Sequence, residues 1–546
     1  GTVSAEAGAD NRLTRSTECK YSLLVLGDPA YYERNESTQG ILIKDGADLI
    51  IKSANGYGKD NYSPMRIQIE ENASVTLTLD GAYMDASAIP YISAPILIPE
   101  NSTGNVNIIL KGENGLKAGN YYAAIQKNGN AENIGILTIS GDGSLMAAGG
   151  YNAAGVGSSD GKPVKNIVIS SGIITATGGV YGAGIGGGDR GTASNITISG
   201  GTITATGGNT GAGIGGGYSG EGNHITISGG TVTATSIAVG DDVSTGAGIG
   251  GGFAGMGNDI TISGGTVTAI SSATGEYGRA GAGIGGGYSR EGNNITISGG
   301  TVTATGGQYG AGIGGGSRET GSDITISGGT VTATGGLCGA GIGGGGDYYE
   351  SDVRGVGSNI TINGGEVTAT GGDFGAGIGG GRYENGRNIT ISGGTVTATG
   401  GWCGAGIGGG EGRTGSDITV SGGTITTTGG KEATDIGGGS GGSTRMVTIT
   451  GGSVKTKNGA LTGVINGTNA VYCTVVDLTD EIGTEAAVTD VGETAYGMKD
   501  VMTDADGKIY MYLPAGETSI VFGTHFYSGT VSAEAGADNR LTRSTE

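Results

Sequence analysis

Aromatic side chains recur in this sequence beside one glycine-rich heptapeptide. Tyr218, Phe253 and Tyr288 follow "GAGIGGG", and Tyr383 falls at nearly the same column, with Arg290, Arg318, Arg382 and Arg413 close by. The longest insertion, "GDYYESDVRGVGS", adds Tyr348 and Tyr349. Rings flanked by polar groups can stack on sugar rings, so carbohydrate contact is the chemistry this pattern offers. The plainer role is to cover glycine-rich backbone at a corner. It weighs more here, because single exposed aromatics are ordinary.

Other patterns offer less. Asn195, His224, Asp259, Asn294, Asp323, Asn359, Asn388 and Asp417 each precede an "IT" pair. Stacked at a corner they would form a ladder bonding side chain to side chain, and no two Asp are adjacent in it, as like charges in a stack require. Threonines recur as Thr202/Thr204/Thr206, Thr231/Thr233/Thr235, Thr301/Thr303/Thr305, Thr330/Thr332/Thr334 and Thr395/Thr397/Thr399. A flat threonine lattice resembles ice-binding solenoid faces, although threonine is also an ordinary outward strand residue, and Ile270 and Glu366 interrupt it. Catalysis is not expected. The only histidines are His224 and His525, on different segments, and Glu366 is a lone carboxylate in a threonine column. No nucleophile stands with a base. "TDADG" lacks most of a calcium-loop ligand set and reads as a turn. No cofactor or metal is expected.

The elements that must position these residues are set by a repeat. "GAGIGGG" begins at Gly182, Gly211, Gly246, Gly281, Gly310, Gly339, Gly375 and Gly404, with decayed copies at Ala153 and Ala433, in steps of 29, 29, 35, 35, 29, 29, 36, 29 and 29 residues. One unit, Gly281 to Tyr309, holds three alternating segments: Ala282/Ile284, Ile295/Ile297 and Val302/Ala304 each share a face. Glycine pairs bound each segment and supply tight corners. No unit buries these faces alone, so the units must stack, six inward residues per coil. The expected fold is all-β: a right-handed three-sided parallel β-helix of about 14–16 coils, followed by a small β segment. Lys52, Asp80, Lys111, Ser140, Ser170 and Ser199 mark equivalent positions in its worn early coils, and Thr450 and Asp477 continue it.

Composition agrees. Among 546 residues there are 126 glycines, four phenylalanines and one tryptophan, so any core is narrow. The formal net charge of −21 argues against nucleic acid and anionic membranes as partners. No apolar run is long enough to span a bilayer. The sequence opens on Gly1 with no signal-like segment, which says little about targeting. Cys338 and Cys403 both precede "GAGIGGG" and fall two coils apart, about 9.6 Å and too far for a disulfide; they read as small buried apolar fillers.

Residues 529–546 repeat residues 1–18 letter for letter. The simplest account is a 528-residue unit of a tandem array, each unit's end covered by the next. A strand restored at excision, a repeating filament, or exchange of terminal segments between subunits would account for it as well. The chain then divides into 1–24 (a strand or linker shared with a preceding unit), 25–152 (irregular coils), 153–470 (regular coils), 471–528 (a β cap or connector turning near Asp506-Gly507) and 529–546 (the start of a next unit). Joined units would bring Cys473 and a neighbour's Cys19 to the two sides of the joint, where a disulfide would stiffen a rod outside the cell.

The "GAGIGGG…NITISGGTVTATGG" repeat resembles repeats of large surface proteins of anaerobic Gram-positive bacteria, often described as carbohydrate-binding or adhesin-like. The resemblance is strong over residues 153–439 and weak over 41–150, and "YGMKDVMTDADGKIYMYLPAG" is similar to the β segment that often follows such repeats. It implies export and a place at the cell surface. The expected function is a structural unit of an extracellular bacterial fibre or giant adhesin, with identical units as end-to-end partners. A carbohydrate-binding module and an ice-binding solenoid are the alternatives.

Overall fold

In a computed structural model, the residues described are 22–35, 39–89, 93–239, 244–274, 278–347, 355–456, 460–461, 471–478, 508–522, 525–532 and 538–544. Cys19, Tyr348, Tyr349 and the Asp506-Gly507 turn lie outside them, and of Cys473 only the backbone is described.

The expected stack is present, with about 14 turns of roughly 29 residues. Equivalent strands of successive coils pair in parallel and in register, as in Ile295↔Ile324, Val302↔Val331 and Ile284↔Ile313. Two sides of the coil merge into a 24-stranded sheet and the glycine-rich side forms a 15-stranded one. Ile284, Ile295, Ile297, Val302 and Ala304 are buried in one continuous core. Five residues per coil enter it rather than six. Ala282 is fully buried but stands outside this core, because the glycine-rich segment is only a two-residue strand, Ile284–Gly285. The chain folds back there, with the Ala282 N–H donating to the Gly286 carbonyl at 2.8 Å.

Glycine has a specific task on that side. A Cβ on Gly287 would stand 1.8 Å from the Gly252 carbonyl oxygen of the preceding coil. The backbones approach so closely that no larger residue fits. At the corner between the other two sides, Gly300 has φ +83, which an L side chain rarely adopts.

Three expectations need correction. Ser140 pairs with Ile109, not Lys111; the slip is two residues, which keeps every inward side chain inward. Residues 25–35 do not form a coil. Leu23–Leu26 pairs antiparallel with Asp48–Ser53, and Tyr32–Asn35 antiparallel with Gly40–Ile43, with Asp28 capping a short 3₁₀ turn, Pro29–Tyr31, between them. Asp477 does not continue the solenoid: Val471–Asp477 pairs antiparallel with Lys508–Pro514 in a separate six-stranded sheet. That sheet also packs on the far end of the stack. Tyr510 and Tyr512 are buried against the last coil, where the Tyr510 N–H donates to Ser453 Oγ at 3.1 Å and the Tyr512 hydroxyl to Thr456 Oγ1 at 2.7 Å. Open strand edges invite foreign pairing, and antiparallel flaps and aromatic lids both suppress it.

Candidate functional site

The aromatics meet at one corner of the solenoid. The residue after most of the heptapeptides donates its N–H to the carbonyl of the residue before the preceding heptapeptide. Examples are Tyr218 to Tyr181 at 2.8 Å, Arg382 to Cys338 at 2.7 Å and Ser440 to Cys403 at 2.8 Å. This clamp brings the two loops of neighbouring coils together and draws their rings into one file. Tyr151, Tyr181, Tyr218, Phe253 and Tyr288 follow each other with centroids 5.3 to 5.8 Å apart. The first two contacts are edge-to-face. The last two are parallel stacks, with interplanar angles of 7° and 9°. Arg279 lies over Tyr288, 5.7 Å from its centroid.

This geometry bears directly on chemistry. A sugar ring needs an open aromatic face, and in the stacked trio the rings cover one another. The arginines are engaged too. Arg290 Nε donates to the Ala254 carbonyl at 3.0 Å and Arg413 Nε to the Tyr383 carbonyl at 2.8 Å, while Arg318 pairs with Asp347 at 2.8 Å. They tie coil to coil. Tyr383 stands outside the file. It occupies the next position, with φ 60, where Arg190, Ser219, Ser289 and Arg318 take the same left-handed turn in their coils. Its ring and that of Phe374 lie under Arg382 instead, at 4.7 and 4.1 Å. Tyr151 and Tyr181 were not singled out from sequence, because they precede the heptapeptide while the others follow it. Trp402 was missed as well; it is largely exposed and faces Lys431 at 5.4 Å.

At a second corner the polar column forms its ladder in part. Asn195 Nδ2 donates to Asn166 Oδ1, Asn359 Nδ2 to Asp323 Oδ1 and Asn388 Nδ2 to Asn359 Oδ1, each at 3.1 Å. Asn294 donates likewise to Asp259, whose other oxygen lies 3.5 Å from His224 Nε2. The deeper reason for these residue types is the backbone. All eight sites, Asp417 included, have φ between 51 and 56, the left-handed region that Asn, Asp and His tolerate best. Asn166 extends the column by one coil and Met446 ends it, with φ 61 and 49.

Along this corner runs an open groove of about 720 Å³, lined by Asn195, His224, Asn223, Lys165 and Arg190 among others. Arg190 lies 3.4 Å from both Asp160 and Asp189, so its charge is largely answered. Lys127 is buried, and its pKa falls to about 8 because burial, and then Lys165, disfavour its charge. Glu384 is buried between coils. Burial first, then Glu319 and Asp347, hold its carboxyl well above the usual range. Cys338 is fully buried and its thiol is pushed up to about 12 by burial. Cys403 is only half-buried. Both thiols are free. Among the described residues no three His, Cys, Asp or Glu side chains are grouped to hold a metal, and no helix is long and apolar enough to cross a membrane.

Nine segments match the model of the Beta helix repeat family: 137–160, 167–189, 196–218, 225–253, 260–288, 295–317, 324–346, 360–382 and 389–411. Residues 137–411 are built from beta helix repeats. Each matched repeat starts on an inward strand and ends at the position following the heptapeptide, where Tyr218, Phe253 and Tyr288 close three of the nine, and from 167–189 onward each is preceded by a residue of the polar column. No curated protein and no solved structure matches the chain.

Proposed function

We propose that this chain is a rigid unit of an extracellular bacterial surface fibre or large adhesin, working by spacing and scaffolding. The observation that carries this reading is the tightness of the coil-to-coil contact: a Cβ would stand within 2 Å of a neighbouring carbonyl at Gly208, Gly252, Gly287 and Gly316 alike. A repeat so committed to stacking resists bending at every step. Immunogold labelling of the producing cells tests it. Label along surface filaments supports the reading, and label confined inside the cells overturns it.

A carbohydrate-binding module is the second reading, and the polar groove favours it more than the closed aromatic stack does. On a glycan array, binding lost with Asn195→Ala and His224→Ala but kept with Tyr218→Ala would place sugar in the groove. Loss with Tyr218→Ala and Tyr288→Ala would place it on the rings. The ice-binding reading draws on one column without interruption: Thr175, Thr204, Thr233, Thr268, Thr303, Thr332, Thr368, Thr397 and Thr426 pair in sequence. Thermal hysteresis in a cooled droplet decides it.

A further inference from the structure

The six-stranded sheet contains a strand whose sequence the chain carries twice. Arg540–Arg543 lies between two partners. It pairs in parallel with Val471–Asp477, through Val475↔Arg540 and Val476↔Leu541, and antiparallel with His525–Val531, through Tyr527↔Arg543 and Ser528↔Thr542. Leu541 is fully buried in a cluster with Val476, Ile509, Met511, Ile520 and Tyr527. Asn539 fixes the approach. Its Oδ1 accepts from the Ser532 N–H at 2.7 Å, its Nδ2 donates to the Ser532 carbonyl at 3.0 Å, and its own carbonyl accepts from the Val475 N–H at 2.9 Å. Ser544 closes the segment by donating its N–H to the Phe526 carbonyl at 2.7 Å.

Every residue in this arrangement except those of the receiving strands has a counterpart in the early copy. Asn11 stands for Asn539, Arg12 for Arg540, Leu13 for Leu541, Thr14 for Thr542, Arg15 for Arg543 and Ser16 for Ser544. Recognition here rests on backbone pairing and one apolar pocket, which cannot tell the two copies apart. We propose that the slot between Val471–Asp477 and His525–Val531 is a docking site for residues 11–16 of a second copy of this chain, which replace Arg540–Arg543 by strand exchange. This rests on the end-to-end reading above and names its joint. In the donated copy only Thr17 to Ser22 separate Ser16 from Leu23, the first residue of the flap over the solenoid. Six residues reach about 20 Å at most, so the two solenoids would be held close together. The register sets Cys473 opposite the place of Asp10. Cys19 is then about 30 Å further along an extended chain, and the joint does not bring the two thiols together.

The test uses the full chain. Leu541→Asp puts a charge in the apolar pocket and expels the chain's own strand, leaving Leu13 of a neighbour as the only fitting occupant. Light scattering coupled to size exclusion is expected to show dimers and longer oligomers for Leu541→Asp, and monomers for Leu541→Asp with Leu13→Asp. A fluorescent peptide spanning residues 7–18 should bind the double variant, and the same peptide with Leu13→Asp should bind roughly 10-fold more weakly or worse. Monomeric Leu541→Asp, equal association of the double variant, or a peptide that does not bind overturns the proposal. Surface filaments seen with immunogold under any of these outcomes would leave the fibre reading standing, with a joint of another kind.

Discussion

The coils before residue 153 and those after it enclose the same kind of core by different means. In the early coils the core is made of large side chains: Leu49, Ile51, Leu77, Leu79, Met84, Leu110, Leu116 and Leu145 are all buried. In the later coils it is Ile, Val and Ala in fixed places, and one side is narrowed to glycine backbone. Apolar burial holds the early coils, where a side chain can be exchanged for another of similar volume. The later coils multiply backbone contacts that admit no side chain, which the early coils make at scattered points such as Gly104, Gly135 and Gly150. Near-identity of the later repeats is therefore largely a steric requirement, and the early ones wear where such contacts are sparser.

The sharpest break of that contrast is Gly287→Val. Its Cβ meets the backbone oxygen of Gly252 at 1.8 Å, and neither coil can move without disturbing its other neighbour. A loss of about 4 kcal/mol or more is expected, read by urea unfolding and by hydrogen exchange confined at first to the adjoining coils.

Two buried ionisable groups give the two halves opposite pH responses. Lys127, in the early coils, has a pKa of about 8 against an ordinary 10.5. The unfolded chain keeps its proton over that interval, so stability rises as pH climbs from 8 to 10.5. Lys127→Met keeps the stem, removes the slope and should stabilise by about 3 kcal/mol at pH 7. Glu384, in the later coils, has a raised pKa. The folded chain holds its proton longer than the unfolded one, so stability falls as pH rises from 4.5 toward that raised value. Glu384→Gln should abolish the fall. Denaturant midpoints measured across pH check both, and identical slopes in wild type and variants would contradict the assignment.

Smaller effects are expected at the polar corner. Asn388→Ala loses a residue suited to φ 52 and a bond to Asn359, about 1–2 kcal/mol. Met446→Asn repairs the one unsuited residue in that column, exposed at φ 49, and should gain about 1 kcal/mol. Thermal melts resolve both. Smallest of all is Gly58→Ala in the early coils, where an added Cβ meets nothing within 4 Å; a change within about 0.5 kcal/mol is expected, and a large one would undo the contrast drawn above.

Much of the solenoid was legible because its signal is periodic. Alternation of Ile297 and Val302 with threonine states which way each side chain points, and repetition states what each strand pairs with. The fold-back at Ala282 was not legible, since alternation alone cannot tell a strand from a tight turn with the same buried face. The early register slipped at Lys111 for a related reason: a two-residue shift preserves the alternation being read. At the candidate site, residue types were visible and orientation was not. Nothing in the spacing of Tyr218, Phe253 and Tyr288 reveals that each ring lies flat on the next. Tyr383 was misplaced because a one-residue displacement looks trivial in a column of text but exchanges a file position for a left-handed turn.

Each regular coil pairs its strands with the coils beside it, through a register that the repeats share. Removing one 29-residue coil, such as the step from Gly281 to Gly310, would bring Gly246 and Gly310 loops into the same contacts and shorten the rod by one strand spacing, about 4.8 Å. The flap at one end and the tyrosine lid at the other would not register the change. Reach is thus a quantised property of this molecule, adjustable by whole copies through recombination between near-identical stretches, while everything that happens at its tips stays constant.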